Sequence, residues 1–290
     1  MKILITGGGG FLGSRLAVYY GKKYEVWAPS HTELDFSSEG SVAEAFRRFC
    51  PDVVLHCGAI SDVGTCEKNP ELSRSVNVLG TQYLARASRA SGSRFVYCSS
   101  DQVYFVEQEE SESDADYLTP RREDLVLRPV PLYGQHKLEA ERMAFLEQPD
   151  TIALRLTWMY DRLTETELKK GRKNLLTMLS TAMESNETLI FSPTDHRGIT
   201  DVKEVVRNME ALWKLTAGVY NFGSPNDMDM YALAHQVLSA FGKEHLLKKA
   251  PGGRLRNLAM DMGKLESEGI FFSESGQRLV QVLKEMRGQS

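Results

Sequence analysis

Short apolar runs alternate along the chain with longer stretches in which apolar residues recur every three or four positions. The run Lys2–Thr6 (KILIT) predicts a strand, glycines follow at once, and Phe11–Tyr20 has the period of an amphipathic helix. Residues 24–28 predict a second strand, 41–50 a helix and 53–57 a third strand. Further on, 77–90 read as helix, 94–98 as strand, 133–145 as helix and 151–156 as strand. Strands separated by helices imply an α/β fold with a doubly wound parallel sheet covered on both faces. Ligands on such sheets bind at the carboxyl ends of the strands, where 7–10, Gly58 and 99–101 would gather.

The glycines are the most specific local signal. In TGGGGFLG, Gly7, Gly10 and Gly13 fall on the strand–turn–helix junction, with Phe11 and Leu12 opening the helix. The first glycine allows a sharp turn, the second lets backbone amides approach a pyrophosphate, and the third lets helix and strand pack closely. The helix N-terminus supplies the positive end for the phosphates. Lower in the chain, LYGQHKLEAE sets Tyr133 and Lys137 four residues apart, on one helix face. An ammonium there favours the ionised phenol, which otherwise titrates near about pH 10. A dinucleotide turn and a tyrosine–lysine pair together point to a nicotinamide-dependent reductase.

Composition narrows the class. A chain of 290 residues can bury a sizeable core. The pattern assigns 1–159 and 199–223 to a dinucleotide-binding domain, and 160–198 and 224–290 to a smaller, mainly helical substrate lobe. A net charge of −4 gives no footprint for nucleic acid. No run is long enough for a membrane span, and the apolar start is too soon broken for a signal peptide, so a cytoplasmic protein is expected. Cys50, Cys57, Cys66 and Cys98 lack C-x-x-C spacing and read as free thiols in a reducing compartment. The six histidines are scattered, and no metal site is expected.

TGGGGFLG, LHCGA (55–59), Asn77, YCSSDQVY (97–104), LYGQHK and RLTWMY (155–160) fall in the order of the extended short-chain dehydrogenase/reductases. Within that Rossmann-fold superfamily the chain most resembles the dTDP-4-dehydrorhamnose reductase family, over most of 1–205. Beyond that, Arg254, Asn257, Asp261 and Lys264 keep the spacing of the family's C-terminal stretch. The resemblance implies that Tyr133 protonates a carbonyl oxygen, that Lys137 holds the nicotinamide ribose, and that Ser100, where the family has threonine, hydrogen-bonds the same oxygen. Asp101 would border the substrate. Cys57, Gly58 and Ala59 would line the cofactor, and Asp35 and Phe36 match a pair that borders the adenine. Gln102, Gly64 and Leu255 depart from the family's usual tyrosine, acid and proline.

For the cofactor, an NAD enzyme usually ends its second strand with a carboxylate for the ribose 2′-hydroxyl. Here that strand runs into Ala28, Pro29, Ser30 and His31, which favours NADP(H) over NAD(H), with Ser30, His31 and Arg15 as contacts. A nucleotide sugar carries a diphosphate and needs cations to clamp it. Lys169, Lys170, Arg172, Lys173, Arg197, Arg254 and Arg256 are available, and Arg197 and Arg254 are the selected pair, with Trp158 offered to the sugar. Residues 107–116 hold six acids and read as a solvated, flexible insertion. Two other functions share the scaffold: a nucleotide-sugar epimerase or dehydratase, and a regulatory subunit resembling the methionine adenosyltransferase beta subunit. A homodimer is compatible with the superfamily.

Overall fold

The computed structural model describes residues 1–169 and 171–288. The strands are β1 Lys2–Thr6, β2 Glu25–Trp27, β3 Val53–His56, β4 Arg94–Ser100, β5 Ile152–Leu156, β6 Trp158–Tyr160, β7 Leu189–Phe191, β8 Asp195–Arg197, β9 Ile199–Asp201, β10 Gly218–Phe222, β11 Leu247–Lys249 and β12 Arg256–Leu258. Six of them make one sheet in the order β10-β5-β4-β3-β1-β2. The pairings of β1 with β2 and β3, of β3 with β4 and of β4 with β5 are parallel. Ile3, Leu4, Ile5, Val54, Leu55, Phe95 and Val96 are fully enclosed, as expected where helices cover both faces. The chain thus has the α/β doubly wound fold.

Two compact units are present. The first comprises Met1–Glu107, Val126–Leu156 and Asn208–Tyr220. On one face of its sheet, the helices Glu39–Phe49, Gly80–Ser91 and Leu132–Glu147 bury Val42, Phe46, Leu84, Ala140 and Ala144 against Leu4, Val54, Phe95 and Ala153. Strand β4 runs two residues past its expected end because Ser99 and Ser100 still pair with Arg155 and Leu156. The helix expected over 77–90 opens instead with a π-turn, Ser75–Leu79. Widening of that kind accommodates a side chain with another task. Asn77, within it, accepts from the Ile60 amide at 2.8 Å and donates to the Ile60 carbonyl at 3.0 Å, clamping the chain after β3.

The second unit comprises Gln108–Leu125, Thr157–Arg207 and Asn221–Ser290. Its core joins the helices Leu175–Ser185, Met230–Ser239 and Ser275–Met286 through Leu176, Leu179, Leu233, Val237, Leu279 and Leu283. Three two-stranded parallel pairs, β6·β9, β7·β11 and β8·β12, accompany these helices. Residues 108–125, expected with the nucleotide domain, belong here because Arg121 pairs with Met260 and its amide donates to Ala259 at 2.8 Å. Residues 199–207 also stay in this unit, since β9 pairs with β6. The acidic insertion is partly structured: Ser113 caps the short helix Asp114–Tyr117. No described helix is long and apolar enough to cross a membrane.

Two local constraints hold the first unit's working end. Glu141 and Arg155 form an ion pair with both side chains 4% exposed. Arg155 Nε and Nη2 donate to the two Glu141 oxygens at 3.1 and 2.8 Å, Ser99 donates to Glu141 at 2.5 Å, and Arg155 Nη1 donates to Tyr104 at 2.8 Å. The helix Leu132–Glu147 is thereby tied to β4 and β5. The other constraint is the first turn. Gly7 has φ 70°, and a Cβ on Gly13 would collide with the Gly7 carbonyl.

Glu141→Ala leaves a buried guanidinium unpaired, so urea unfolding should show a loss of about 3–5 kcal/mol; a loss under about 1 kcal/mol contradicts the assigned role. Gly13→Ala should cost about 1–3 kcal/mol through overpacking. Gly9→Ala, whose Cβ meets nothing within 4 Å, should leave the unfolding midpoint unchanged.

Candidate active site

The parallel order turns back between β1 and β3, and ligands of doubly wound sheets bind at such a switch point. There the glycine turn meets the end of β3: a Cβ on Gly7 would lie 2.7 Å from the Gly58 nitrogen. Gly10 is the N-cap of Phe11–Tyr20, with extended backbone, no capping side chain and no acid in the first turn. The amides of Phe11, Leu12 and Gly13 therefore open the helix without an anionic competitor. These features fit a dinucleotide pyrophosphate.

A buried hydrogen-bond chain fixes the β3 end. The Gly58 amide donates to Thr6 Oγ1 at 3.3 Å, which lies 2.6 Å from His56 Nδ1; His56 Nε2 lies 3.0 Å from Thr81 Oγ1, which donates to the Asn77 carbonyl at 2.7 Å. Burial, with help from the Lys137 charge, lowers the His56 pKa to about 3. A neutral ring with its proton on Nε2 satisfies every member of that chain. Cys57 and Cys98 face each other with sulfurs 3.5 Å apart, and the contact together with burial keeps the Cys57 thiol protonated.

The hydroxyl cluster stands at the end of β4. Ser100 donates to Asp101 at 3.1 Å and lies beside the phenol of Tyr133. Tyr133 is 7% exposed, Lys137 3% and Asp101 2%. Burial pushes the phenol well above its ordinary range and Asp101 adds to the rise, while Ser100 opposes it. The expected lowering by Lys137 does not arise here. Its ammonium lies 5.8 Å from the Tyr133 ring centroid and 4.7 Å from that of Tyr97, and donates to the Cys98 carbonyl at 2.7 Å. Burial brings the pKa of Lys137 itself down to about 8. The cluster offers a protonated phenol and a serine hydroxyl, donors suited to a carbonyl oxygen gaining negative charge.

Other expected cofactor residues have mixed placements. Phe36 is buried, and its ring fills the space that a Cβ on Gly58 or Gly80 would need, so it supports the loop from behind. Asp35 is exposed and accepts from the amide and hydroxyl of Ser37. Ala59 is partly exposed beside Gly58. Arg15 donates to the Phe11 carbonyl and lies over the Phe11 ring. The loop after β2 does hold a carboxylate that the strand's last residues lack: Glu33 accepts from the Ser30 amide at 2.9 Å and hydroxyl at 2.7 Å. Those bonds hold the Glu33 pKa below its usual range.

In the second unit, Trp158, Phe191, Asp195, Arg197, Met230 and Arg256 line a cavity of about 330 Å³. Arg197 lies 5.5 Å from the Trp158 ring centroid. Arg256 grips Asp195 with Nε at 2.8 Å and Nη2 at 2.5 Å, so its charge is already matched. Arg254, selected beside Arg197, is exposed and does not line the cavity. Arg172 pairs with Glu167, and Lys170 lies outside the described residues.

Several residues escaped sequence reading. Glu141 lies four positions beyond Lys137, and that helical spacing was the signal for it. Arg121 carried none, since PRRED reads as a solvated charge run. It is 9% exposed, with its guanidinium 4.7 Å from the Tyr117 ring centroid. A desolvated cation–π contact gives about 2 kcal/mol, short of what burying an ion takes.

Similarity to known proteins agrees with this construction. The model of the RmlD substrate binding domain matches residues 1–261. A dTDP-4-dehydrorhamnose reductase of Aggregatibacter actinomycetemcomitans is 32% identical over 258 residues, covering 86% of this chain and 80% of the relative. Methionine adenosyltransferase 2 subunit beta of Xenopus laevis is 28% identical over 293 residues, covering 93% of this chain and 83% of the relative. The crystal structure of dTDP-4-dehydrorhamnose reductase from Bacillus anthracis in complex with NADP superposes with a TM-score of 0.83 at 19% identity, covering 98% of each chain. With a family match across nine-tenths of its length and the glycine turn, hydroxyl cluster and sheet order in place, this chain belongs to the RmlD substrate binding domain family, the dTDP-4-dehydrorhamnose reductase family of NAD(P)-dependent extended short-chain dehydrogenase/reductases.

Proposed function

We propose that the chain reduces the 4-keto group of a nucleotide sugar, dTDP-4-dehydrorhamnose or a near analogue, with NADPH. The observation that carries this reading is the grouping of Ser100, Tyr133 and Lys137 at the β4 end, linked to the glycine turn through Cys98, Cys57 and Gly58. The nicotinamide supplies a hydride when bound. Gly7, Gly10 and the amides of Phe11, Leu12 and Gly13 would hold its pyrophosphate, and Lys137 its ribose hydroxyls.

Tyr133 then delivers its phenolic proton to the carbonyl oxygen as the carbonyl carbon takes the hydride, giving a secondary alcohol. Ser100 donates to the same oxygen, and the raised phenol pKa keeps the proton on Tyr133 until that oxygen becomes the stronger base. In the second unit, Trp158 and Arg197 are suited to the sugar and an anionic group. The cofactor preference is supported by the carboxylate-free end of β2. Four free cysteines fit a cytoplasmic setting.

The test is loss of NADPH absorbance with a panel of 4-keto nucleotide sugars. Tyr133→Phe should lower kcat by at least about a hundredfold while leaving NADPH affinity within about threefold. Full activity in that variant refutes the mechanism. Tight NADPH binding by the wild type without oxidation would favour the alternative of a non-catalytic, dinucleotide-binding subunit.

Lys137 yields a stability prediction with a definite sign. Its folded pKa of about 8 lies below the ordinary 10.5, so the full cost of burying the charge acts below pH 8 and is relieved as pH rises toward 10.5. Lys137→Met should therefore stabilise the cofactor-free protein at pH 7 by on the order of 2 kcal/mol. The gain should shrink toward pH 10.5, while activity is lost. Equal stability of the two proteins at both pH values contradicts this assignment.

A further inference from the structure

The four cysteines of the chain are free thiols, and two of them stand together. Strands β3 and β4 pair in parallel register as far as His56 with Tyr97. The next position on each is a cysteine, and Cys57 and Cys98 face each other with sulfurs 3.5 Å apart. Neighbouring strands run about 4.8 Å apart, within the Cα separation of about 4.4–6.8 Å that a disulfide spans. Cys57 is partly exposed, while Cys98 is buried. Cys50 and Cys66 are placed differently, since their sulfurs donate to the Arg47 and Ile60 carbonyls, each at 3.4 Å.

The backbone beside each sulfur is tied to the candidate active site within the same unit. Gly58 follows Cys57 and packs so closely on the glycine turn that a Cβ on Gly7 would lie 2.7 Å from its nitrogen. The Cys98 carbonyl accepts from Lys137 Nζ at 2.7 Å. A disulfide holds its sulfurs about 2.0 Å apart, so forming one shortens the present contact by about 1.5 Å and pulls on both anchors.

We infer that Cys57 and Cys98 are an oxidation site, a dithiol that a peroxide converts to an intrachain disulfide, and that the bridge weakens dinucleotide binding. The Cys57 thiolate attacks one peroxide oxygen, the O–O bond breaks, and the departing hydroxide takes a proton to become water. The Cys98 sulfur then attacks the resulting sulfenic acid. The S–S bond forms, the S–O bond breaks, and the hydroxyl leaves with the Cys98 proton as a second water. Two thiols are oxidised and one peroxide is reduced. The partner sulfur and burial hold the Cys57 thiol protonated, which makes the first step slow at neutral pH. The second step is favoured by sulfurs already in contact. The effect on the dinucleotide rests on the proposed reductase reading, whereas the disulfide rests on the geometry of the two cysteines.

The test oxidises a Cys50→Ser parent, which lacks the exposed thiol that would otherwise link two copies, with excess hydrogen peroxide at about pH 8.5. Peptide mass spectrometry after alkylation of the unfolded protein locates the sulfurs, and calorimetry reads NADPH affinity before and after dithiothreitol. A peptide pair linked through Cys57 and Cys98, two hydrogens lighter than its parts, is expected. NADPH affinity should fall at least about fivefold and return with dithiothreitol. Cys98→Ala, lacking the second sulfur, should carry Cys57 on to sulfinic acid, which dithiothreitol does not reverse. Should Cys98→Ala fail to fold, Cys57→Ser decides: it should bind NADPH equally before and after peroxide. Both thiols still alkylated after peroxide, or sulfinic acid on Cys57 of the parent without the linked pair, overturns the oxidation site. A linked pair with NADPH affinity within about twofold of the reduced protein overturns the effect on the dinucleotide. Failure of the reduced parent to bind NADPH defeats the reductase reading, while the mass measurement still decides the disulfide.

Discussion

The pairing of Glu141 with Arg155 is the interaction on which the candidate active site depends. It joins the helix Leu132–Glu147 to β5 through Arg155 and to β4 through Ser99, with both charges withdrawn from water. Because Glu141, Lys137 and Tyr133 follow at four-residue intervals on one helix face, fixing Glu141 against the sheet fixes the other two against Ser100 and Cys98. A buried pair of this kind contributes little net stability compared with a well-packed apolar substitute. Its contribution is register. An apolar replacement of similar volume could hold the helix down yet let it slide or rotate by fractions of an ångström, and proton transfer between hydroxyls is sensitive to such displacements.

The electrostatics at the β4 end resolve an apparent conflict. The neighbouring lysine suggests an ionised tyrosine, whereas enclosure and Asp101 make the phenol a weaker acid than in water. Reduction of a carbonyl asks for a proton that is held until negative charge reaches the oxygen. A neutral phenol beside the Ser100 hydroxyl meets that demand, while Lys137 is anchored to the Cys98 carbonyl. Its depressed pKa is the thermodynamic counterpart of keeping a cation in a dry site.

Much of the fold was legible in sequence because its signals are local. KILIT followed by glycines and an amphipathic helix can be read without knowledge of tertiary contacts, and the alternation of runs dictates a parallel sheet. The π-turn at Ser75–Leu79 was not legible, since Asn77 within it is bonded to Ile60, seventeen residues away, and no local pattern announces that contact. The grouping of 108–125 with the C-terminal stretch was hidden for the same reason: it is set by Arg121 meeting Ala259. Within the site, Ser100, Tyr133 and Lys137 could be named because motif spacing carries them. That Phe36 packs against Gly58 and Gly80 could not be read, because both contacts come from distant parts of the chain, and Glu33 was overlooked because only the turn after β2 brings it back to Ser30. Arg121 shows the limit most clearly, since nothing in PRRED says which arginine is enclosed.

The central claim is that hydride and proton meet at a sugar carbonyl on this scaffold. The most direct measurement supplies NADPH deuterated at the nicotinamide C4 position to transfer, together with dTDP-4-dehydrorhamnose, and reads the sugar product by mass spectrometry and proton NMR. A product heavier by one deuterium, with the label at C4 and the adjacent oxygen as hydroxyl, is the predicted result. Conversion of the sugar with the label retained on the cofactor would contradict the account and point to an isomerising or dehydrating reaction.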